Sequence, residues 1–157
     1  MAKFLIVVGT VNGHALTCAQ GAAAILNKLG HETDMRVETK GSDLLADPEQ
    51  IILVCCSTTG QGQVPENVYS LYLALEDQQL NLENRYYGVL ALGDSYFPPT
   101  QFALGGRQLE NALYRSGAKR IGDMGILDAQ QVDNYALAAA LWVKDWVEKV
   151  AATCAAA

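Results

Sequence analysis

Residues 4–15 read Phe4-Leu5-Ile6-Val7-Val8-Gly9-Thr10-Val11-Asn12-Gly13-His14-Ala15, five apolar residues followed by a loop of small and polar residues. A continuous apolar run of this length is typical of a β-strand covered on both faces. Apolar side chains then recur at helical spacing, and Gly30 supplies a stop signal. We therefore expect a strand, a loop and a helix over about 14–29, with Asn12 suited to the N-cap.

The same order of strand, loop and helix recurs along the rest of the chain. Further strands are predicted at 31–37, which is more polar and suits a sheet edge, and at 51–56, 86–92 and 120–127. Further helices are predicted at about 66–76, 104–115 and 135–150, and the tail 151–157 is expected to fray. The apolar face of the last helix is predicted to contain Leu137, Leu141, Trp142, Trp146 and Val150. This alternation predicts an α/β fold, a doubly wound five-stranded parallel sheet with helices on both faces.

Length and net charge limit the number of domains and the kinds of partner that this protein can have. The 157 residues suit one domain, 1–157, and half of them are hydrophobic, which argues against disorder. The net charge is −6, from 17 acidic and 11 basic residues. This charge argues against nucleic-acid and anionic-membrane partners and suits docking onto basic partner proteins.

The four cysteines and two histidines do not indicate a metal site or a disulfide framework. Cys18, Cys55, Cys56 and Cys154 form no Cys-x-x-Cys pair, and neither histidine clusters with them. The first apolar run is too short for a signal peptide, and no run is long enough to span a bilayer. We expect a cytoplasmic protein whose Cys55 and Cys56 are buried structural thiols.

The first loop suits an anion. It follows a strand and precedes a helix, whose first N–H groups attract negative charge. No Lys or Arg occurs between Lys3 and Lys28, which excludes the NTPase phosphate loop, and no Gly-x-Gly-x-x-Gly motif is present. A phosphate here would be held by hydroxyls and amides alone. Taken by itself, the loop also fits an ordinary turn between a strand and a helix.

Two more loops follow the predicted strands at 51–56 and 86–92. The second reads Ser57-Thr58-Thr59-Gly60-Gln61-Gly62-Gln63-Val64-Pro65, and the third reads Leu92-Gly93-Asp94-Ser95-Tyr96-Phe97. Glycines let a backbone approach a flat ligand closely, and aromatic side chains stack on planar rings. Because ligands of doubly wound sheets bind beyond the carboxyl ends of the strands, the three loops predict one site.

Together the three loops resemble those of the flavodoxin family, and the resemblance covers nearly the whole chain. It implies the strand order 2-1-3-4-5, the cofactor FMN and a short-chain flavodoxin. The FMN-binding residues that it implies are Thr10, Val11, Asn12, Gly13, His14, Ala15, Ser57, Thr58, Thr59, Gly60, Gln61, Gly62, Leu92, Gly93, Asp94, Tyr96, Phe97 and Phe102.

The chain departs from the family pattern at several positions. Asn12 stands where Thr is usual, and His14 where Asn is common. Thr59 replaces a frequent aromatic residue, and Gln63 replaces a frequent acid. Pro98-Pro99 resembles part of a short insertion, which leaves open whether Tyr96 or Phe97 stacks on the flavin ring.

The resemblance implies a monomeric, low-potential carrier that moves single electrons from a flavoprotein reductase to acceptor proteins. A Gly60–Gln61 peptide that can change its orientation would accept a hydrogen bond from the reduced ring. An FMN-dependent quinone or nitro reductase is the alternative, although no loop is long enough to build its substrate cavity. A phospho-acceptor receiver domain would need acidic residues where Gly9-Thr10 and Ser57-Thr58 stand.

Overall fold

The structure is a computed structural model that describes residues 1–60 and 62–156. Its strands are β1 (Lys3–Gly9), β2 (Glu32–Arg36), β3 (Ile51–Cys56), β4 (Tyr86–Gly93), β5 (Lys119–Arg120) and β6 (Gly125–Asp128). Its helices are α1 (His14–Lys28), α2 (Gly41–Leu45), α3 (Tyr69–Glu76), α4 (Leu104–Arg115) and α5 (Tyr135–Ala156), with a 3-10 turn at Glu66–Val68 ahead of α3.

The strands form one parallel sheet in the order β2-β1-β3-β4-β5, which confirms the predicted fold and order. The single strand predicted over 120–127 is wrong, because the chain divides there into β5 and β6, both paired with β4. Gly122 adopts a left-handed φ of 69°, which turns the chain out of the extended conformation. Ile121 fills the core at this break, and its carbonyl accepts a hydrogen bond from the Trp146 indole.

Alternate residues of each central strand face opposite layers of helices. In β1, Phe4, Ile6 and Val8 pack into a cluster with α1 and α5. Leu5 and Val7 face a second cluster that contains side chains of α2, α3 and α4. Both faces of the sheet are therefore covered, as the continuous apolar runs indicated.

The predicted apolar face of helix α5 is buried only in part. Leu137 and Leu141 are 55% and 59% exposed, so their assignment to the buried face was wrong. Trp146 and Val150 are buried as expected. The helix also continues through Ala156, where fraying was expected. No helix within the described part of the chain has the length and apolarity to cross a bilayer.

Helix α2 was not predicted. The Lys40 backbone N–H donates to the Asp43 carboxylate at 2.8 Å, which caps the short helix. The buried Arg85 guanidinium donates to the carbonyls of Leu44 and Gln50. Burial lowers the pKa of Arg85, and the nearby Asp47 charge opposes this shift. Arg85 thus connects the end of α2 and the residue before β3 to the start of β4.

Candidate functional site

The three predicted loops leave the same edge of the sheet. Gly9 lies opposite Cys56 in the sheet, and Cys56 lies opposite Ala91. Thr10 and Ser57 therefore begin their loops side by side at the carboxyl edge, and β4 continues beside them to Gly93, after which the third loop begins.

The first loop is held by hydrogen bonds to its backbone. The Thr10 N–H donates to Asn67 Oδ1 at 2.9 Å, and the Gly13 N–H donates to Thr10 Oγ1 at 2.8 Å. Gly13 occupies the N-cap of α1 with a left-handed φ of 86°, so the expectation that Asn12 caps this helix was wrong. Asn12 is instead exposed and lies at the site.

Several N–H groups of this loop remain free. Among the residues that the structure describes, the backbone N–H groups of Val11, Asn12, His14 and Ala15 have no hydrogen-bond acceptor. A row of free N–H groups at a helix start carries a partial positive charge. The loop is therefore suited to an anion such as phosphate.

The second loop is closed on itself and tied to its neighbours. The Thr59 N–H donates to the Gln63 carbonyl at 3.0 Å, and the Gln63 N–H donates to Thr59 Oγ1 at 2.9 Å. Thr58 Oγ1 donates to the Leu92 carbonyl and accepts from the Gly105 N–H, both at 3.1 Å. These bonds fix the two ends of the loop and leave its tip exposed.

At the tip, Gly60 is exposed and Gly62 adopts a left-handed φ of 84°. A Cβ built on Gly60 would contact no atom of the described residues. Gln61, which was predicted to bind the cofactor, lies outside the described residues.

The third loop is held by carboxylates. Asp94 Oδ1 accepts from the Tyr96 N–H at 2.9 Å and from Gln130 Nε2 at 2.7 Å. Asp128 Oδ1 accepts from the backbone N–H groups of Ser95 and Gln130, both at 3.0 Å. These two bonds, the one from Ser95 first, lower the pKa of Asp128.

A cavity of about 260 Å³ lies where the three loops meet. Eleven of the predicted residues line it: Val11, Asn12, His14, Ser57, Thr58, Thr59, Gly60, Leu92, Gly93, Asp94 and Phe97. Gln101, Ala129 and Tyr135 line it as well and were not predicted. Gln101 belongs to the same segment as Phe97 and Phe102, whereas Ala129 and Tyr135 lie far from the loop motifs in sequence and reach the cavity only through their position in the fold.

The other predicted residues that the structure describes lie beside this cavity rather than on its wall; they are Thr10, Gly13, Ala15, Gly62, Tyr96 and Phe102. Phe97, 39% exposed, lines the cavity, whereas Tyr96 is 82% exposed at its rim. Phe102 packs against the core under α4.

Tyr135 at the start of α5 reaches the first loop. Its ring stacks on the His14 imidazole with a centroid distance of 4.4 Å and an interplanar angle of 14°. Burial raises the pKa of the Tyr135 phenol, and the neighbouring Cys18, Asp94 and Asp128 add to this shift. His14 is the one side chain of the described cavity lining that can carry a positive charge.

The site thus has two different ends. Free N–H groups and His14 form an end that suits an anion. Leu92, Phe97 and the exposed tip at Gly60 form an end that suits a flat ring. This donor set fits a nucleotide-like cofactor with a phosphate tail.

Comparison with known proteins agrees with this geometry. The family model "Flavodoxin" matches residues 6–142. The chain is 40% identical over 150 residues to flavodoxin YqcA of Pectobacterium carotovorum subsp. carotovorum, covering 96% of this chain and 98% of that one. It is 36% identical over 146 residues to flavodoxin YqcA of Escherichia coli K12, covering 93% and 97%.

A solved structure of a cysteine-to-serine mutant of a Pseudomonas aeruginosa flavodoxin superposes with a TM-score of 0.85. That flavodoxin is 31% identical and covers 94% of this chain and 97% of its own. The loops, the strand order and these similarities show that the chain belongs to the flavodoxin family, whose members bind FMN and transfer electrons.

Proposed function

We propose that this chain binds FMN in the cavity between its three loops and carries single electrons from a flavoprotein reductase to acceptor proteins. The observation that carries this proposal is the convergence of free N–H groups, apolar side chains and a glycine tip on one cavity. Bound FMN supplies the capacity to accept and release electrons one at a time.

The first loop binds the phosphate in this proposal. The N–H groups of Val11, Asn12, His14 and Ala15 donate hydrogen bonds to its oxygens, and the partial charge of the α1 N-terminus adds to them. Thr10 has a second role, because its hydroxyl accepts from Gly13 and its N–H donates to Asn67, while its O–H can still donate to the phosphate. We assign to Thr10 the role of shaping the loop.

The second and third loops hold the ring. Leu92 and Phe97 exclude water from it, and Thr58 keeps the two loops together through its bonds to Leu92 and Gly105. Phe97 is the better candidate for stacking, because it lines the cavity and Tyr96 does not. Tyr96 then remains at the rim, where a docking protein would contact it.

Gly60 is proposed to respond to the redox state of the cofactor. The Thr59–Gln63 bonds hold the ends of the loop. At Gly60 the space around the backbone is open, because a Cβ built there would meet no atom of the described residues. The Gly60 carbonyl would then be the group of this loop that accepts a hydrogen bond from the flavin ring. Such a bond in a dry site is worth about 1 kcal/mol or somewhat more.

Flavodoxin-like domains work with redox partners such as reductases. For this chain, we propose partners with basic surfaces, because its net charge is −6. We further propose that the chain is a monomeric carrier that meets its partners transiently in the cytoplasm.

An anaerobic dithionite titration of the flavin-loaded protein, followed by absorbance, tests this function. A carrier of single electrons shows two separate reduction steps, and it does not oxidise NADPH unless a reductase is added. Reduction in one step, with direct turnover of NADPH, would favour a quinone or nitro reductase. A purified chain that neither contains nor takes up FMN would contradict the cofactor assignment itself.

A further inference from the structure

One contact at the cavity joins two distant parts of the chain. His14 is the first residue of α1, and Tyr135 is the first residue of α5. Their rings lie nearly parallel at 4.4 Å, closer than any other aromatic pair that the structure describes. Both residues line the cavity.

Tyr135 is held in place by packing and by a hydrogen bond, so its ring can fix the orientation of the His14 ring. Its side chain is half-buried against the core cluster of α1 and α5. Its backbone carbonyl accepts a hydrogen bond from Cys18 Sγ at 3.7 Å, one turn along α1 from His14. The stack therefore connects an exposed imidazole to a firmly packed helix pair.

The surroundings of His14 indicate that its side chain would contact an anion. The free N–H groups of Val11, Asn12 and Ala15 surround it in the chain. An imidazole carries an N–H donor in both its neutral and its protonated form. The described cavity lining offers no Lys or Arg that could replace it.

We infer that Tyr135 is a positioning residue that holds the His14 imidazole against the phosphate of FMN, and that this pair makes the site select FMN over riboflavin. The inference rests on the proposed function. Holding the ring in one place before binding reduces the conformational entropy that the complex would otherwise lose. The hydrogen bond is made to a charged group, so it is stronger than a neutral one.

Paired affinity measurements test this inference, because riboflavin has the same ring system as FMN and lacks the phosphate. The apoprotein is titrated with each flavin, and binding is followed by quenching of flavin fluorescence. The variants are Tyr135→Leu, which removes the stack, Tyr135→Phe, which keeps it, and His14→Phe, which keeps a ring but removes its N–H. Tyr114→Leu is the matched control, since Tyr114 is 66% exposed on α4 and lies outside the cavity.

We expect Tyr135→Leu and His14→Phe each to weaken FMN binding about tenfold and to leave riboflavin binding within about twofold of the wild type. Tyr135→Phe and Tyr114→Leu should retain wild-type affinity for both flavins. The double variant His14→Phe/Tyr135→Leu should lose no more than His14→Phe alone, because both changes remove one interaction.

Each contrary result has a distinct meaning. Equal losses for FMN and riboflavin would show that Tyr135 only shapes the cavity, and a loss in Tyr135→Phe would assign the effect to the hydroxyl; either overturns the inference. If Tyr135→Leu does not fold, His14→Phe at its exposed position still tests whether the imidazole N–H makes the site select FMN, and equal losses for the two flavins in that variant would overturn the inference. A wild-type chain that binds neither flavin would overturn the proposed function, whereas tight FMN binding with unchanged variants would overturn this inference only.

Discussion

The Asn67 side chain holds the first loop in place although it does not line the cavity. Its Nδ2 donates to the carbonyls of Val8 and Val37, both at 2.6 Å, and its Oδ1 accepts from the Thr10 N–H. The end of β1, the segment after β2 and the first loop thus meet at one amide. Because no loop motif contains Asn67, its role could not be predicted from the motifs.

We expect Asn67→Asp to lower the free energy of unfolding by about 1–3 kcal/mol, because two carbonyls lose their donor and face a carboxylate instead. The FMN affinity should fall with it, since Thr10 begins the first loop. Urea unfolding of the apoprotein measures the first effect. Asn81→Asp is the matched control, because Asn81 accepts through its oxygen, from the Glu83 N–H, and Asp keeps that bond. Equal stability of the two variants would refute this role.

His31 makes the stability depend on pH. Its Nδ1 accepts from the Ala2 N–H at 2.9 Å, and its ring meets the Phe4 ring edge-on. Burial lowers the pKa of His31, and the positive charge of the amino terminus adds to this shift. The folded state therefore binds fewer protons than the unfolded state below the ordinary histidine pKa of about 6.5.

It follows that the contribution of the neutral His31 to the free energy of unfolding is fully present above about pH 6.5 and decreases as the pH drops below this value. His31→Asn keeps an acceptor for the Ala2 N–H and cannot be protonated in this range. We expect the loss of stability between about pH 7.5 and about pH 5.5 to be smaller in this variant than in the wild type. Urea unfolding at both pH values measures the difference. An unchanged difference would show that His31 does not contribute to it.

At the scale of elements, the central strands were the most predictable part of the chain. Continuous apolar runs located β1, β3 and β4, because both faces of these strands are buried. The break between β5 and β6 lies at Gly122, whose left-handed φ of 69° interrupts the strand, whereas the packing of Ile121 with Trp146 at this break could not be read from the apolar pattern. In α5, the tryptophans were predicted on the correct face and pack against glycines of the sheet, whereas Leu137 and Leu141, predicted on the same face, are exposed.

One such glycine is Gly88 in β4. A Cβ built there would lie 2.4 Å from the Trp146 ring, which is held in place by its bond to the Ile121 carbonyl. We expect Gly88→Ala to reduce the free energy of unfolding by about 1–3 kcal/mol through overpacking. Gly60→Ala is the control, because a Cβ there meets no described atom. Two apoproteins with the same urea midpoint would exclude close packing at Gly88.

The second loop gives a prediction about redox potential. Gln63 is exposed and stands where the family frequently has an acid. A new charge at about 10 Å, with an effective dielectric constant of roughly 20–80, shifts a one-electron potential by roughly 20–70 mV. We expect Gln63→Asp to lower the potential of the second electron by this order, because that electron adds negative charge to the site. Gln63→Asn, which differs from it only in charge, should not, and equal potentials for the two variants would contradict the argument.

For the whole molecule, the fold class and the cofactor could be predicted from the sequence, whereas some residues that line the cavity could not. The three loop motifs are local, and the parallel order of β1, β3 and β4 brings them to one edge. Tyr135 and Ala129 reach the cavity only through the path of the chain around the sheet. A local motif cannot report such residues, because their spacing from the loops carries no chemical pattern.

The net charge of −6 leads to a prediction for the intact carrier. Complementary charge speeds the encounter of two proteins, and salt screens this attraction. We expect electron transfer from the reduced protein to a cationic haem protein to slow as salt rises from about 0.05 M to about 0.5 M, by about tenfold or more. Stopped-flow absorbance measures the rate. With ferricyanide, an anionic oxidant, the rate should instead increase with salt, because repulsion is then screened. Rates that do not depend on salt for either oxidant would show that the acidic surface does not guide docking.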